Sequence, residues 1–234
     1  MFAIAFDWEQ LLFEHYPVDP GVVQPHLPEG LAVDTYDGDA WLSVVPFVNA
    51  AVRPAGLPRE LGLSLPELNL RTYVTHGDDE GVYFFSLDAE GVLGVSAARV
   101  FHHLPYFYAR IDLEVLGPAD GVPGDRVRFR SRRHHPGASP AVYEATYEPT
   151  GPVERAEPGS LAAFLTERYR YYAAAPDGLR FAQVDHERWP LQEATATVVE
   201  NTLFEADGFD HPGGEPVRQY CEFVPVTASR SLRV

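Results

Sequence analysis

Short apolar segments rich in β-branched and aromatic residues recur along the whole chain, separated by prolines and glycines. The 234 residues include 21 prolines and 19 glycines, which leave little room for long helices. This spacing predicts a chain built mainly of β-strands. The segments expected to be strands are 31–33, 41–48, 68–76, 82–88, 92–103, 107–115, 125–133, 141–148, 194–201 and 217–226.

Turn chemistry predicts how some of these strands are joined. Asp37-Gly38 is typical of a tight hairpin turn, so we expect 31–33 to pair with 41–48. Residues 78–81 predict a second turn. The segment 53–66 holds three prolines and two glycines, and we expect it to be a long loop over the mouth of the sheet.

One amphipathic helix is predicted between Ser160 and Tyr172. Ser160 can cap its start, Pro176 follows its end, and apolar residues fall along one helical stripe. The sequence also allows a further helix near the N-terminus and a short helical turn over 22–27. The apolar stripe consists of Leu161, Phe164, Leu165, Tyr169 and Tyr172.

Many strands with one good helix predict an α+β fold that is mainly β. Closing the sheet into a barrel would hide its exposed edges, and barrels of this size hold small ligands. The length and the 45% hydrophobic content suit one large domain or two small ones. Since nothing marks a domain boundary, we expect a single domain over 1–234.

Lysine is absent, and all 18 basic residues are arginine. A chain without a lysine ammonium cannot form a Walker-type phosphate loop, a pyridoxal phosphate aldimine or any other side-chain imine. We expect no cofactor. The formal net charge of -16 repels phosphate backbones, so nucleic acid is not an expected partner.

The acid-rich surface has two explanations that the sequence leaves open. Carboxylates keep a protein soluble when salt screens its charges, which suits a high-salt cytoplasm of a halophile. A high-GC genome that replaces lysine with arginine is the alternative. Cys221 is the only cysteine, and no apolar stretch approaches 18 residues, so we expect a soluble, cytoplasmic protein that does not enter a membrane.

The segment 68–74 contains the clearest candidate site. Its alternation puts Asn69, Arg71 and Tyr73 on one face of a strand and apolar residues on the other. If the polar face looks into a barrel, a guanidinium with neighbouring neutral donors suits a carboxylate. The alternatives are a solvated polar face, or an arginine paired with a local acid such as Glu67.

Several stretches resemble the YqjF-like family of uncharacterised prokaryotic proteins. They are 41–47, 69–74, 81–88 and 164–169, so the resemblance spans most of the chain. This family is similar to acetoacetate decarboxylase in its fold. The resemblance implies a largely antiparallel β-barrel with a central cavity and peripheral helices.

The decarboxylase motif matches residues 99–109 only in part. Arg99, Pro105 and Ala109 agree with it, while Tyr106 and Phe107 stand where the decarboxylase has its two lysines. The resemblance therefore implies the barrel and a pocket without the imine chemistry. We expect Tyr106, together with Arg99, to line that pocket, where a nearby cation, Arg71 or Arg99, could lower the pKa of the phenol. A packed aromatic with a backbone partner is the alternative.

Other reactive residues carry weaker signals. His102 and His103 are adjacent, so a regular strand directs them to opposite faces, and we expect no metal site. Ser96 lies in a sequence that only partly matches a nucleophile elbow, which requires a strand turning into a helix. Cys221 in a predicted strand is more typical of packing than of catalysis.

Three functional classes remain. We favour a module that binds a small anionic or carbonyl-bearing molecule through Asn69, Arg71, Tyr73, Arg99 and Tyr106. The alternative is a lyase or hydrolase acting on a small oxo acid, with His103 or Tyr106 as the proton donor and Arg71 stabilising an oxyanion. A scaffold with a filled barrel is the third class, and a homo-oligomer is left open.

Overall fold

Antiparallel strands make up most of the computed structural model, which describes residues 2–91 and 103–234. The strands are β1 Phe2–Val18, β2 Ala32–Val33, β3 Ala40–Pro54, β4 Leu63–His76, β5 Asp79–Ala89, β6 Tyr106–Pro118, β7 Asp125–Arg133, β8 Val142–Pro149, β9 Arg170–Ala175, β10 Gly178–Asp185, β11 Gln192–Asn201, β12 Val217–Ser229 and β13 Leu232–Arg233. The α-helices are α1 Pro20–Val23, α2 Leu161–Thr166 and α3 Leu203–Ala206. Short 3-10 turns cover Gln24–His26 and Arg59–Leu61.

The strand pairings close the sheet into two rings that share a wall. The wall runs in the order β12-β1-β3-β4-β5. At its two ends β5 and β12 each pair with two further strands, and this splits the sheet. One ring closes through β9 and β10, and the other through β6, β7, β8 and β11. The expected closed, largely antiparallel architecture is therefore confirmed, and only β5–β6 and β5–β9 pair in parallel among the strands described.

The two faces of the shared wall meet different surroundings. The face enclosed by β6, β7, β8 and β11 is covered by the largest apolar cluster, which includes Leu42, Leu68, Leu70 and Phe129. The opposite face lies towards β9, β10 and α2, and contains Tyr73 in a smaller cluster with Leu165. Because side chains alternate along a strand, each wall strand contributes to both interiors.

Most predicted strands are present, and β7 begins and ends at the predicted residues. The strand predicted at 92–103 lies outside the described residues except for its last residue. The N-terminal helix was wrong, since 2–18 form the long strand β1. The helical turn near 22–27 is present as α1 and the following 3-10 turn.

The predicted helix over 160–172 is correct only in its first half. The Ser160 hydroxyl accepts a hydrogen bond from the Ala163 amide and caps α2, but the helix ends at Thr166 and 170–175 form β9. Residues of β9 pair in parallel with β5, and Gly81 allows the close approach, because a Cβ there would lie 2.8 Å from the Tyr172 ring. Pairing with the edge of β5 therefore makes these residues a strand, although their aromatic side chains follow a helical pattern.

Two predicted connections also differ. The turn at Asp37-Gly38 forms, with positive φ at both residues, but only Tyr36 and Asp39 pair beside it. Strand β2 pairs with β4 instead of β3, so the predicted hairpin is wrong. Only part of 53–66 is a loop, because β3 extends to residue 54, a 3-10 turn covers Arg59–Leu61 and β4 begins at residue 63. The second turn was predicted over 78–81 and covers 77–78, because β5 begins at Asp79.

Candidate functional site

Polar side chains alternate along β4 on the wall face that looks towards β9 and α2. They are Glu67, Asn69, Arg71 and Tyr73. Leu68 and Leu70 lie on the other face, in the main apolar cluster. The alternation predicted for this strand is present, and its apolar face packs into the ring closed by β6, β7, β8 and β11.

Arg71 lies at the centre of this face. Its guanidinium carbon is 5.1 Å from the centre of the Phe13 ring and 5.9 Å from that of Tyr73, and Nη2 donates a 3.4 Å hydrogen bond to the Leu165 carbonyl. Among residues 2–91 and 103–234, no carboxylate lies within ion-pair distance of Arg71, and its buried Nε has no hydrogen-bond partner. The alternative pairing with Glu67 is not found. Arg71 is thus a cation held over aromatic rings with a single long hydrogen bond.

Tyr73 anchors α2 to this face. It is fully buried, and its hydroxyl donates a 2.8 Å hydrogen bond to the Leu165 carbonyl, the acceptor that Arg71 also reaches. The same hydroxyl lies 2.9 Å from Ser43 Oγ and 3.1 Å from His15 Nδ1. Ser43 Oγ and His15 Nδ1 are 2.7 Å apart. Three strands and one helix are therefore connected by one buried hydrogen-bond network.

The two histidines near Arg71, His15 and His186, carry no positive charge at neutral pH. Burial, followed by the charge of Arg71, holds the pKa of His15 well below its usual value. Burial also lowers the pKa of His186, which lies against Trp189. The Arg168 guanidinium also lies near this region, 5.5 Å from the centre of the Tyr73 ring, but it pairs with Asp34 at 2.8 Å and Glu80 at 3.0 Å. Arg71 is therefore the cation of this region that has no carboxylate partner among the described residues.

A carboxyl group and a phenol lie at the other end of the β4 face. The Tyr106 hydroxyl donates a 3.0 Å hydrogen bond to Glu67 Oε2, and Asn49 Nδ2 donates a 2.8 Å hydrogen bond to the same oxygen. Burial raises the pKa of Glu67 to about 8, although both hydrogen bonds oppose the rise. Glu67 therefore keeps a proton at neutral pH.

The expected activation of Tyr106 by a cation was wrong for the described residues. Burial, and then the adjacent carboxyl of Glu67, raises the pKa of Tyr106 well above its usual value. The phenol stays protonated and acts as a hydrogen-bond donor. Its side chain joins the face of β4 because Tyr106 pairs with Leu87 at the start of β6.

The remaining sequence candidates have different outcomes. Asn69 is 4% exposed, and its Oδ1 has no hydrogen-bond partner in the described part of the chain. His103 is half-buried with a φ of 56°. Arg99 lies outside the described residues, and so do His102 and Ser96. Cys221 is buried in β12, and burial raises the pKa of its thiol to about 12, which suits packing and not nucleophilic attack.

Sequence reasoning missed His15, Ser43 and Asn49 as members of this region. His15 was missed because β1 was not recognised as a strand. Ser43 and Asn49 share the face of Arg71 because β3 pairs with β4 in a regular register, with Ser43 opposite Arg71. A period-two reading of β3 could have found both, but only the pairing reveals which residues they face.

A second region, on the outer side of β6, β7 and β8, is less suited to a small anion. An open groove of about 940 Å³ is lined in part by Arg128 and Arg130, but these pair with Glu114 and Glu144 at 2.9 and 2.7 Å.

Among the described residues, no group of three or more histidine, cysteine, aspartate or glutamate side chains could hold a metal ion. No helix in that part of the chain is long and apolar enough to cross a membrane.

Comparisons with known protein sequences found a family model and a relative that match this chain. The family model described as DUF2071, uncharacterized conserved protein, matches residues 5–225. The uncharacterized protein YqjF of Bacillus subtilis (strain 168) is 40% identical over 216 residues, which cover 92% of this chain and 86% of that protein.

Three solved structures share the fold at low sequence identity. The enduracididine biosynthesis enzyme MppR complexed with pyruvate is 13% identical, with a TM-score of 0.67 over 98% of this chain and 89% of that one. An acetoacetate decarboxylase-like enzyme from Sphingomonas wittichii RW1 is 16% identical, with a TM-score of 0.64 over 100% and 93%. Acetoacetate decarboxylase from Legionella pneumophila subsp. pneumophila str. Philadelphia 1 is 12% identical, with a TM-score of 0.63 over 99% and 87%.

Proposed function

Because the chain belongs to the DUF2071 family of uncharacterized conserved proteins, and its fold is that of acetoacetate decarboxylase-like proteins, we propose a binding function without Schiff-base chemistry. The ligand is a small carboxylate or another small anion, with or without a carbonyl group. It binds on the polar face of β4, next to Arg71. The observation that carries this proposal is the guanidinium of Arg71, which has no carboxylate partner among the described residues.

Physical chemistry explains why Arg71 favours an anion. Arg71 is half-buried, and a guanidinium that is partly removed from water loses hydration, a loss that is offset when a carboxylate accepts two of its hydrogen bonds. The Nε atom of Arg71 is buried and free to donate. The neighbouring side chains of His15 and Tyr73 add no competing negative charge. A small planar anion completes the hydrogen bonding of this group.

The lack of lysine excludes a side-chain imine with the substrate. At the two positions that resemble the decarboxylase lysines the chain has Tyr106 and Phe107, and neither side chain carries an amine. The fold neighbour MppR was solved with pyruvate. This suggests small two- to four-carbon acids as first probes.

The test compares ligand-induced stabilisation of the wild type with that of Arg71→Met, which removes the charge and keeps an apolar stem. Acetate, propionate, pyruvate and lactate are titrated at pH 6.5 and constant ionic strength while the melting temperature is followed. We expect dose-dependent stabilisation of the wild type, since a ligand at 100 times its Kd adds about 2.7 kcal/mol to the free energy of unfolding. Arg71→Met should lose this stabilisation.

Arg110→Met serves as the matched control. The Arg110 side chain is 73% exposed and lies on β6, in the ring that does not contain Arg71. It should respond to ligand as the wild type does. If the wild type responds to none of the acids, or Arg71→Met responds as strongly as Arg110→Met, the proposal is wrong.

A second candidate function is acid/base catalysis on a small oxo acid. It is favoured by the Glu67–Tyr106 pair, because a carboxyl with a pKa of about 8 holds a proton that it can transfer near neutral pH. His103 remains a further candidate donor. Product analysis by NMR of any stabilising ligand tests this function, and turnover that is lost in Glu67→Gln supports it.

We also propose a cytoplasmic location and a small-molecule partner rather than nucleic acid. The single buried cysteine and the net charge of -16 support both proposals. Assembly into a homo-oligomer stays open, and light scattering of the purified chain measures it.

A further inference from the structure

The amide of Asn69 is, after Arg71, the second unsatisfied group on the polar face of β4 among the described residues. Asn69 is 4% exposed, and its carbonyl oxygen Oδ1 accepts no hydrogen bond from the described residues. Its partners across the neighbouring strands are Val45 on β3 and Leu87 on β5. Neither side chain has a donor, so neither neighbour can satisfy this oxygen.

A buried amide carbonyl without a donor is costly, and native proteins rarely leave one in this state. Asn69 and Arg71 lie two residues apart on the same face of β4, so their Cα atoms are separated by ~7 Å. A small ligand whose carboxylate is bound by Arg71 can therefore place its next substituents beside Asn69. The substituent that satisfies Oδ1 is a hydrogen-bond donor.

We propose that the ligand is a small hydroxy carboxylate of three or four carbons, with its carboxylate on Arg71 and its hydroxyl donating to Asn69. This inference rests on the proposed binding function and specifies its ligand class. A hydroxyl fits better than an ammonium group, because an ammonium would lie near the Arg71 cation and the nearby carboxyl of Glu67 keeps its proton.

The same geometry disfavours an oxo acid. The ketone oxygen of an oxo acid is an acceptor, and it would face the carbonyl oxygen of Asn69 with no proton between them. An unsubstituted acid leaves Oδ1 unpaired but adds no repulsion. The expected order of affinity is therefore hydroxy acid, then unsubstituted acid, then oxo acid.

The experiment measures Kd by calorimetry for lactate (both enantiomers), propionate and pyruvate, which have similar size and the same charge. For the wild type we expect one lactate enantiomer to bind about tenfold tighter than propionate, a ratio that corresponds to 1.4 kcal/mol. In Asn69→Leu, which replaces the amide with an apolar side chain of similar volume, the ratio should fall to about one. The readout is the ratio of the lactate and propionate affinities within each protein, so a general change of the site that weakens both acids alike does not count as support.

The outcomes separate this inference from the proposed function. If no acid binds the wild type, the binding function itself fails. If all bind through Arg71 but pyruvate binds at least as tightly as lactate, or Asn69→Leu preserves the lactate preference, only the hydroxy-acid assignment is overturned. Circular dichroism verifies that the variant folds, and should it not fold, the order of affinities in the wild type decides by itself.

Discussion

Replacing Glu67 with glutamine removes an ionisable group while keeping the shape of the protonated acid. The glutamine carbonyl can accept the hydrogen bonds that Tyr106 and Asn49 now donate to Glu67 Oε2. The variant therefore differs from the wild type mainly in its inability to lose a proton. Its effect on stability should depend on pH, and the sign follows from the direction of the pKa shift.

The pKa of Glu67 rises from 4.5 to about 8 on folding, because burial penalises the carboxylate. Below pH 4.5 both the folded and the unfolded wild type hold the proton. Between pH 4.5 and 8 the unfolded chain has released it and the folded chain has not, so the free energy of unfolding of the wild type falls as pH rises. At 1.36 kcal/mol per pKa unit, the full loss above pH 8 is ~5 kcal/mol.

Urea denaturation at pH 5.0 and 8.5, at constant ionic strength, tests this reasoning. We expect Glu67→Gln and the wild type to differ by less than about 1 kcal/mol at pH 5.0. At pH 8.5 the variant should be more stable by about 3 to 5 kcal/mol. A difference that is the same at both pH values would refute the assigned burial and protonation of Glu67.

Glu144→Gln provides the matched control. Glu144 is bound by Arg130 on an exposed face, and this hydrogen bond lowers its pKa below 4.5. Its carboxylate is therefore ionised in both states over this range. The difference between Glu144→Gln and the wild type should not change between pH 5.0 and 8.5.

Tyr73→Phe should lower the free energy of unfolding by about 1 to 2 kcal/mol, because the hydroxyl that donates to the Leu165 carbonyl is buried, and an unchanged urea midpoint would contradict this. Arg133→Met should cost about 3 to 5 kcal/mol, because Arg133 pairs with Asp88 at 2.7 Å and Asp207 at 2.9 Å in the interior. That loss should be smaller at pH 5 than at pH 8 in denaturation experiments, since burial raises the pKa of Asp88 to about 7 and its carboxylate takes up a proton at low pH. Raising potassium chloride from 0.1 to 2 M should raise the melting temperature of this chain, whose net charge is -16, and equal melting temperatures would favour the high-GC explanation of its composition.

The sequence pattern predicted strands well where the strand pairs with a neighbouring strand on each side, as β4 and β7 do. The alternation of 68–74 placed Arg71 and Tyr73 on one face, and β7 was found from its own residues. Turn residues were less informative about pairing. Asp37-Gly38 makes its turn, yet β2 pairs with β4. Both edges of β3 are taken by β1 and β4, whereas Val74 and Thr75 of β4 lie beyond the last β3–β4 pair at Thr72.

Failures occurred where a distant segment decides the conformation. The stretch 167–172 continues an amphipathic helical pattern, but it meets the free edge of β5, nearly ninety positions earlier in the chain. A helix was predicted near the N-terminus, but 2–18 form β1, which pairs with β3 on one side and β12 on the other. Strand formation there depends on partners that no local window contains.

The residues themselves determine which reactions are impossible and which side of β4 is polar. A chain without lysine cannot form a side-chain imine in any fold, and side chains two residues apart share a face of any strand. Only the tertiary structure decides that Tyr106 meets Glu67, that Glu67 keeps its proton, and that the described residues provide no carboxylate for Arg71. Those properties arise from burial and from contacts between strands far apart in sequence, and both exist only once the sheet has closed.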